Sequence, residues 1–136
     1  MTSEDYARAH GLEALARIRA VAVSGCAPEI MGIGPVGATR KALSRAGLTL
    51  ADIDIIELNE AFATQALAVA DELGLDLGKT NIDGGALALG HPLGATGARI
   101  TGKAAALLQR DNKQFALATQ CIGGGQGIAT ILEAVG

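Results

Sequence analysis

His91 stands in a glycine-rich run, Gly84-Gly85-Ala86-Leu87-Ala88-Leu89-Gly90-His91-Pro92-Leu93-Gly94-Ala95-Thr96-Gly97-Ala98-Arg99, and a second run, Gln120-Cys121-Ile122-Gly123-Gly124-Gly125-Gln126-Gly127, follows it. Imidazole titrates near neutrality and can take a proton from a thiol. Glycine lets a backbone N–H come close to a developing oxyanion. A base and a thiol, each set in backbone of this kind, point to acyl chemistry on a thioester. The glycines of the second run are not a phosphate loop, because they lack both the Lys-Ser/Thr ending and the GxGxxG spacing. Cys121 needs surroundings that favour thiolate if it is to act near its ordinary pKa of about 8.5.

These residues need a scaffold, and 136 residues are enough for one domain that buries roughly two thirds of its unfolded surface. The composition is 49% hydrophobic but 2% aromatic, with 19 glycines, so the interior must be built from Ala, Val, Leu and Ile. The net charge of −3, without a basic run, argues against a nucleic-acid partner. The N-terminus, Met1-Thr2-Ser3-Glu4-Asp5-Tyr6, is acidic where a signal peptide is basic, and no apolar stretch approaches the roughly 20 residues that span a bilayer. The expected location is cytoplasmic, with no membrane partner. There Cys26 and Cys121 stay unpaired, and two cysteines without clustered ligands make no metal site. His10 falls among charged residues of a short N-terminal helix and is read as solvated.

The patterning alternates strand and helix. Residues 17–25 alternate as a strand; Pro35 opens a helix whose Val36, Thr39, Leu43 and Ala46 share a face until Gly47 ends it. Ile53, Ile55, Ile56 and Leu58 form a strand apolar enough for a buried parallel position. Asn59 ends that strand and can cap the next helix, whose stripe is Phe62, Ala66, Val69 or Ala70, and Leu73. A short strand at 81–83 leads into the His91 run. A helix from about Gly94 to Arg110 then turns Ile100, Ala104, Leu107 and Leu108 inward. Strands at 115–121 and 128–133 join through the glycines as antiparallel neighbours. The order is βαβαβαββ: an α/β layered domain over residues 1–136 with a mixed five-stranded sheet.

The chain resembles the C-terminal half of a thiolase, the acetyl-CoA acetyltransferase and 3-ketoacyl-CoA thiolase family. Four segments in the family's order carry the resemblance: Pro28-Glu29-Ile30-Met31-Gly32-Ile33-Gly34-Pro35, Asn59-Glu60-Ala61-Phe62, the His91 run, and Cys121-Ile122-Gly123-Gly124-Gly125. It implies a thiolase fold and an acyltransferase of lipid metabolism, in fatty-acid β-oxidation or acetoacetyl-CoA turnover. Such an enzyme cleaves 3-ketoacyl-CoA with coenzyme A, or condenses acyl-CoA in reverse, through an acyl group on a cysteine. Coenzyme A and acyl-CoA are then substrates, and no covalently bound cofactor is expected.

The resemblance assigns roles residue by residue. His91 would deprotonate the nucleophile and donate to the thioester oxygen. Cys121 would be the second acid/base at the α-carbon, Gly123 an oxyanion donor through its N–H, and Asn59 the holder of an oxyanion-hole water. Met31 would line the acyl pocket, and Ala61 and Phe62 the pantetheine arm. Apart from the resemblance, Glu60 is read as anchoring loops or sitting in a first helical turn, where a carboxylate favours the helix dipole, and Cys26, which matches no catalytic motif, as structural. The family's nucleophilic cysteine lies in the N-terminal half, so that half is the expected partner and the chain alone is expected to be inactive. An uncovered helix face of several hundred Å² is expected to drive homo-oligomers or pairing with that half. The other reading is a truncated, non-catalytic module that binds acyl-CoA or a protein.

Overall fold

The computed structural model describes residues 1–135. A short helix α1 (Glu4–Ala9), begun by Ser3 Oγ accepting from the Tyr6 N–H at 3.2 Å, buries nothing. His10 at its end stacks on Tyr6 and is exposed, as expected. The body consists of β1 (Ala16–Gly25), α2 (Gly34–Ala46), β2 (Ile55–Leu58), α3 (Ala63–Leu73), α4 (Ala86–Leu89), α5 (Leu93–Arg110), β3 (Phe115–Ile122) and β4 (Gln126–Ala134). The sheet order is β1-β4-β3-β2, with β2 and β3 parallel and β4 antiparallel to both of its neighbours.

Two apolar clusters make this a layered domain. On one face, Val36, Ala38, Ala42 and Leu43 of α2 and Val69 and Ala70 of α3 pack on Ile56, Leu58, Leu117, Ala129 and Ile131. On the other, Ile100, Ala104, Leu107 and Leu108 of α5 cover Ile55, Ala116, Ala118 and Leu132. Alternate residues of β2 and β3 thus serve opposite layers, as a period of two requires. With few aromatic side chains to fill space, the layers close by backbone proximity. Gly34, at the start of α2, meets Gln126 and Gly127 of β4, where a methyl on either Gly34 or Gly127 would overlap the facing main chain.

The sheet has four strands, not the five expected. Residues 81–83 lie in a turn, and parallel pairing there shrinks to a single bridge between Ile56 and Thr80. The reason is Asn81. Its backbone is left-handed at φ 48°, and its side-chain amide occupies both backbone groups of Leu58: Oδ1 accepts from Leu58 N–H at 3.0 Å, and Nδ2 donates to Leu58 C=O at 2.9 Å. The side chain takes the place of a strand.

The helix after β2 also starts later than expected. Phe62, not Asn59, is its first flanking residue, with extended backbone and a side chain 63% exposed. Phe62 therefore leaves the apolar stripe of α3, which rests on Val69 and Ala70, with Ala66 and Leu73 beside them.

Candidate functional site

In parallel sheets ligand sites gather beyond the C-terminal strand ends. Here the pair β2/β3 ends with Leu58 opposite Thr119, so Asn59 and Cys121 both lie just beyond or at that edge. Asn59 donates its N–H to Thr119 C=O at 3.0 Å and is fully buried, yet neither its Oδ1 nor its Nδ2 has a hydrogen-bond partner among the described residues. A buried amide with both ends free is unusual in a native interior, where buried polar groups are normally paired. The capping role of Asn59 is ruled out by the position of α3.

His91 is set by the first turn of α5. Its Nδ1 lies 2.6 Å from Thr96 Oγ1, and that hydroxyl donates to Pro92 C=O at 3.1 Å. The Thr96 hydroxyl, with one proton and two lone pairs, bridges Nδ1 and Pro92 C=O and so fixes the orientation of the imidazole ring. Thr96 is fully buried and was not singled out from the sequence; its signal was a hydroxyl placed in the helical turn after the histidine.

Cys121 shares strand parity with Leu117 and Thr119, whose hydroxyl lies 3.4 Å from that of Thr39 in α2. Gln120 points the other way, toward Gly97 of α5. No hydrogen bond joins His91 and Cys121 among the described residues. The glycine turn that follows has Gly124 at φ 86° and Gly125 at φ 90°, and Gly125 C=O accepts from Cys26 N–H at 2.8 Å. Gly123 is exposed, with open space at its Cα.

The remaining candidates sit on neighbouring loops. Met31 lies half-buried in the 3₁₀ turn Pro28–Ile33. Gln65 ties that turn to the Ala61 segment, donating to Gly32 C=O at 3.1 Å while accepting from Ala61 N–H at 3.2 Å. Sequence reasoning missed Gln65, which looks like any polar helix residue. It also missed Glu57, buried two residues before Asn59 with Lys103 Nζ 3.6 Å away. Burial pushes its carboxyl up, against the pull of Lys103 and Arg99. An apolar groove between α3 and the 77–87 segment is lined by Leu58, Leu67, Leu77 and Leu87, and neither His91, Cys121 nor Asn59 reaches it.

The family profile described as "Thiolase, C-terminal domain" matches residues 12–134. The chain belongs to the thiolase family. The 3-ketoacyl-CoA thiolase of Vibrio cholerae is 58% identical over 134 residues, covering 96% of this chain and 35% of that protein. The human mitochondrial 3-ketoacyl-CoA thiolase is 54% identical over 133 residues, covering 98% and 34%. The crystal structure of the human enzyme superposes with a TM-score of 0.97 at 53% identity, covering 99% of this chain and 34% of that one. Acetyl-CoA acetyltransferase from Bacillus anthracis reaches 0.95 at 48%, covering 98% and 34%. This thiolase chain thus spans about a third of the length of the relatives it matches.

The thiolase chain holds Cys121 in surroundings opposite to those expected. Burial raises its pKa, its own backbone N–H opposes that only in part, and Cys26 nearby adds to the rise. The thiol is therefore held toward its protonated form. Iodoacetamide labelling of Cys121, read by mass spectrometry, is expected to increase with pH through a midpoint above that of an ordinary thiol; a midpoint at or below the ordinary value overturns this. Linkage has the same sign. The unfolded thiol ionises first, so the stability Cys121 contributes is full below about pH 8.5 and falls as pH rises past it.

Proposed function

We propose that this thiolase chain supplies the acid/base and oxyanion-hole part of an enzyme that cleaves 3-ketoacyl-CoA with coenzyme A, or condenses acyl-CoA in reverse. The observation that carries this reading is the seat of His91, whose Nδ1 is held 2.6 Å from the buried Thr96 hydroxyl while Nε2 has no hydrogen-bond partner among the described residues. One nitrogen then serves two steps. Nε2 takes the proton of the nucleophilic thiol, and the resulting Nε2–H donates to the thioester oxygen.

Asn59 completes that oxyanion hole through a water on its unpartnered amide, and the Gly123 N–H serves the second hole. When the Cα–Cβ bond of the ketoacyl group breaks, the enolate of acetyl-CoA takes the Cys121 proton. The acyl group stays on the nucleophile until coenzyme A removes it. A protonated Cys121 at neutral pH suits the cleavage direction. Met31, Ala61 and Phe62 would line the acyl and pantetheine path; exposure of Phe62 leaves its ring free for a ligand. The human relative has been crystallised in complex with CoA, with 53% identity to this chain.

The nucleophile is proposed to come from a thiolase N-terminal half. The face of α5 turned from the sheet carries Gly94, Ala98, Gly102 and Ala106 at four-residue spacing, all exposed, with open space at Gly94 and Gly102. Small residues at that spacing let a second helix approach closely. Association of the chain with itself would use the same face. No helix among the described residues is long and apolar enough to cross a membrane, and a cytoplasmic location remains part of the proposal.

The test is coenzyme A-dependent cleavage of acetoacetyl-CoA by the chain alone and after mixing with a separately produced thiolase N-terminal half. Activity confined to the mixture is the expected result. Inactivity of a demonstrated complex would overturn it in favour of a non-catalytic module.

A further inference from the structure

Glu60 follows Asn59 directly, and both of its carboxylate oxygens are taken by the segment that leads to His91. Oε1 accepts from Asn81 Nδ2 at 2.8 Å, and Oε2 accepts from the backbone N–H of Leu87 at 2.9 Å. The two partners differ in kind. Asn81 is locked to the end of β2, bonding both Leu58 N–H and Leu58 C=O. Leu87 belongs to α4, whose last residue is followed by Gly90 and then His91. Gly85 makes room for the carboxylate, because a methyl there would overlap it. A single side chain thus joins the strand end that carries Asn59 to the short helix that delivers His91, while Thr96 holds the imidazole from the other side.

We propose that Glu60 is a positioning residue that sets the place of His91 relative to Asn59, and so the geometry of the oxyanion hole the two share. This rests on the roles proposed above for His91 and Asn59. The chemistry demands a carboxylate. Both partners are N–H donors, and an ionised carboxylate accepts on both oxygens with the added strength of charge. A glutamine in the same place accepts on one side and sets an NH₂ against a donor on the other. Aspartate keeps the charge but loses a methylene of reach. Displacing a reacting group by about 1 Å costs on the order of 100-fold in rate while leaving binding energy elsewhere intact.

The experiment compares wild type, Glu60→Gln, Glu60→Asp and the surface control Glu72→Gln, whose carboxylate pairs with Arg40. Amide hydrogen exchange at Leu87 and the ¹⁵N signals of the His91 ring are measured by NMR on the chain itself. Kinetics are then measured on the complex with the N-terminal half. In Glu60→Gln, Leu87 is expected to exchange about tenfold faster or more, with a shift in the His91 Nδ1 and Nε2 signals. In the complex, kcat falls by about 10- to 100-fold with KM nearly unchanged. Glu60→Asp recovers part of each effect, and Glu72→Gln changes none.

Wild-type exchange at Leu87 with unchanged His91 signals in a folded Glu60→Gln overturns the proposal, as does a rise in KM at constant kcat. Should both Glu60 variants fail to fold, wild type decides: a Leu87 N–H exchanging at the rate of an unprotected amide overturns the proposal, and a protected one upholds the bond on which it stands. An inactive wild-type complex counts against the thiolase reading, while the exchange and ring signals still judge the clamp.

Discussion

His91→Ala is expected to lower acetoacetyl-CoA cleavage by the reconstituted enzyme by about 10³-fold or more, because the proposed mechanism gives this one side chain two tasks in sequence. Losing a general base alone costs about 10²- to 10⁴-fold, and losing a donor to the oxyanion adds to it. Folding should hardly notice. His91 is half-buried with a single side-chain bond, to Thr96, so its removal is expected to destabilise the chain by about 1 kcal/mol. The pairing of intact stability with lost turnover is what separates a catalytic histidine from a loop-packing one. Steady-state rates and chemical denaturation of the same preparation check it; turnover within tenfold of wild type would show that His91 is not the base.

Gly127→Ala is expected to destabilise the chain by about 3 kcal/mol or more, lowering Tm by roughly 10 °C. The methyl would overlap the main chain of Gly34 and Pro35, and neither side can yield by rotating a side chain. Gly34 opens α2, whose residues make up much of one core layer, so a displacement there propagates along the helix. Gly102→Ala is the control. It sits mid-helix in α5 with nothing near its Cα, and alanine favours the helix by up to about 1 kcal/mol. Thermal unfolding of both variants should therefore move in opposite directions, and equal Tm values would refute the close approach of α2 to β4.

The elements were legible because their patterns are strong. The stripe Ile100, Ala104, Leu107 and Leu108 of α5 faces the sheet as its 3.6-residue period dictates, and Gly47 ends α2 at φ 70°. The glycine turn between β3 and β4 produced the antiparallel neighbours expected. His91, Cys121 and Asn59 were visible because the spacing of four short segments resembles a family. Their partners were not. Thr96 and Gln65 act through hydrogen bonds to groups that are distant in sequence or of no distinctive pattern, and Glu60 could be placed only once Asn81 and Leu87 were seen on its two oxygens.

Two errors share a cause. The strand expected at 81–83 and the cap expected at Asn59 are both local preferences overridden by a longer-range bond or by burial. Asn81 spends its amide on Leu58, and Asn59 is drawn into the interior, where its amide has no backbone N–H to cap.

By itself the sequence determined the α/β class, the helices that face the sheet and which histidine and cysteine stand in glycine-rich runs, because periodicity and residue type are local properties. Only the tertiary structure decided which face of each strand is buried, which hydroxyl holds the His91 ring and which way the Cys121 pKa moves. In β1 the small Ala22 is buried while Val21 and Val23 stay about 40% exposed, since α2 lies against that strand, its Gly37 close to Ser24, and leaves room for small side chains alone. Hydrophobicity ranks side chains, but the distance between two backbones sets what fits between them. The shift of the Cys121 thiol has the same origin: it is a difference between environments, and an environment exists only after distant segments have met.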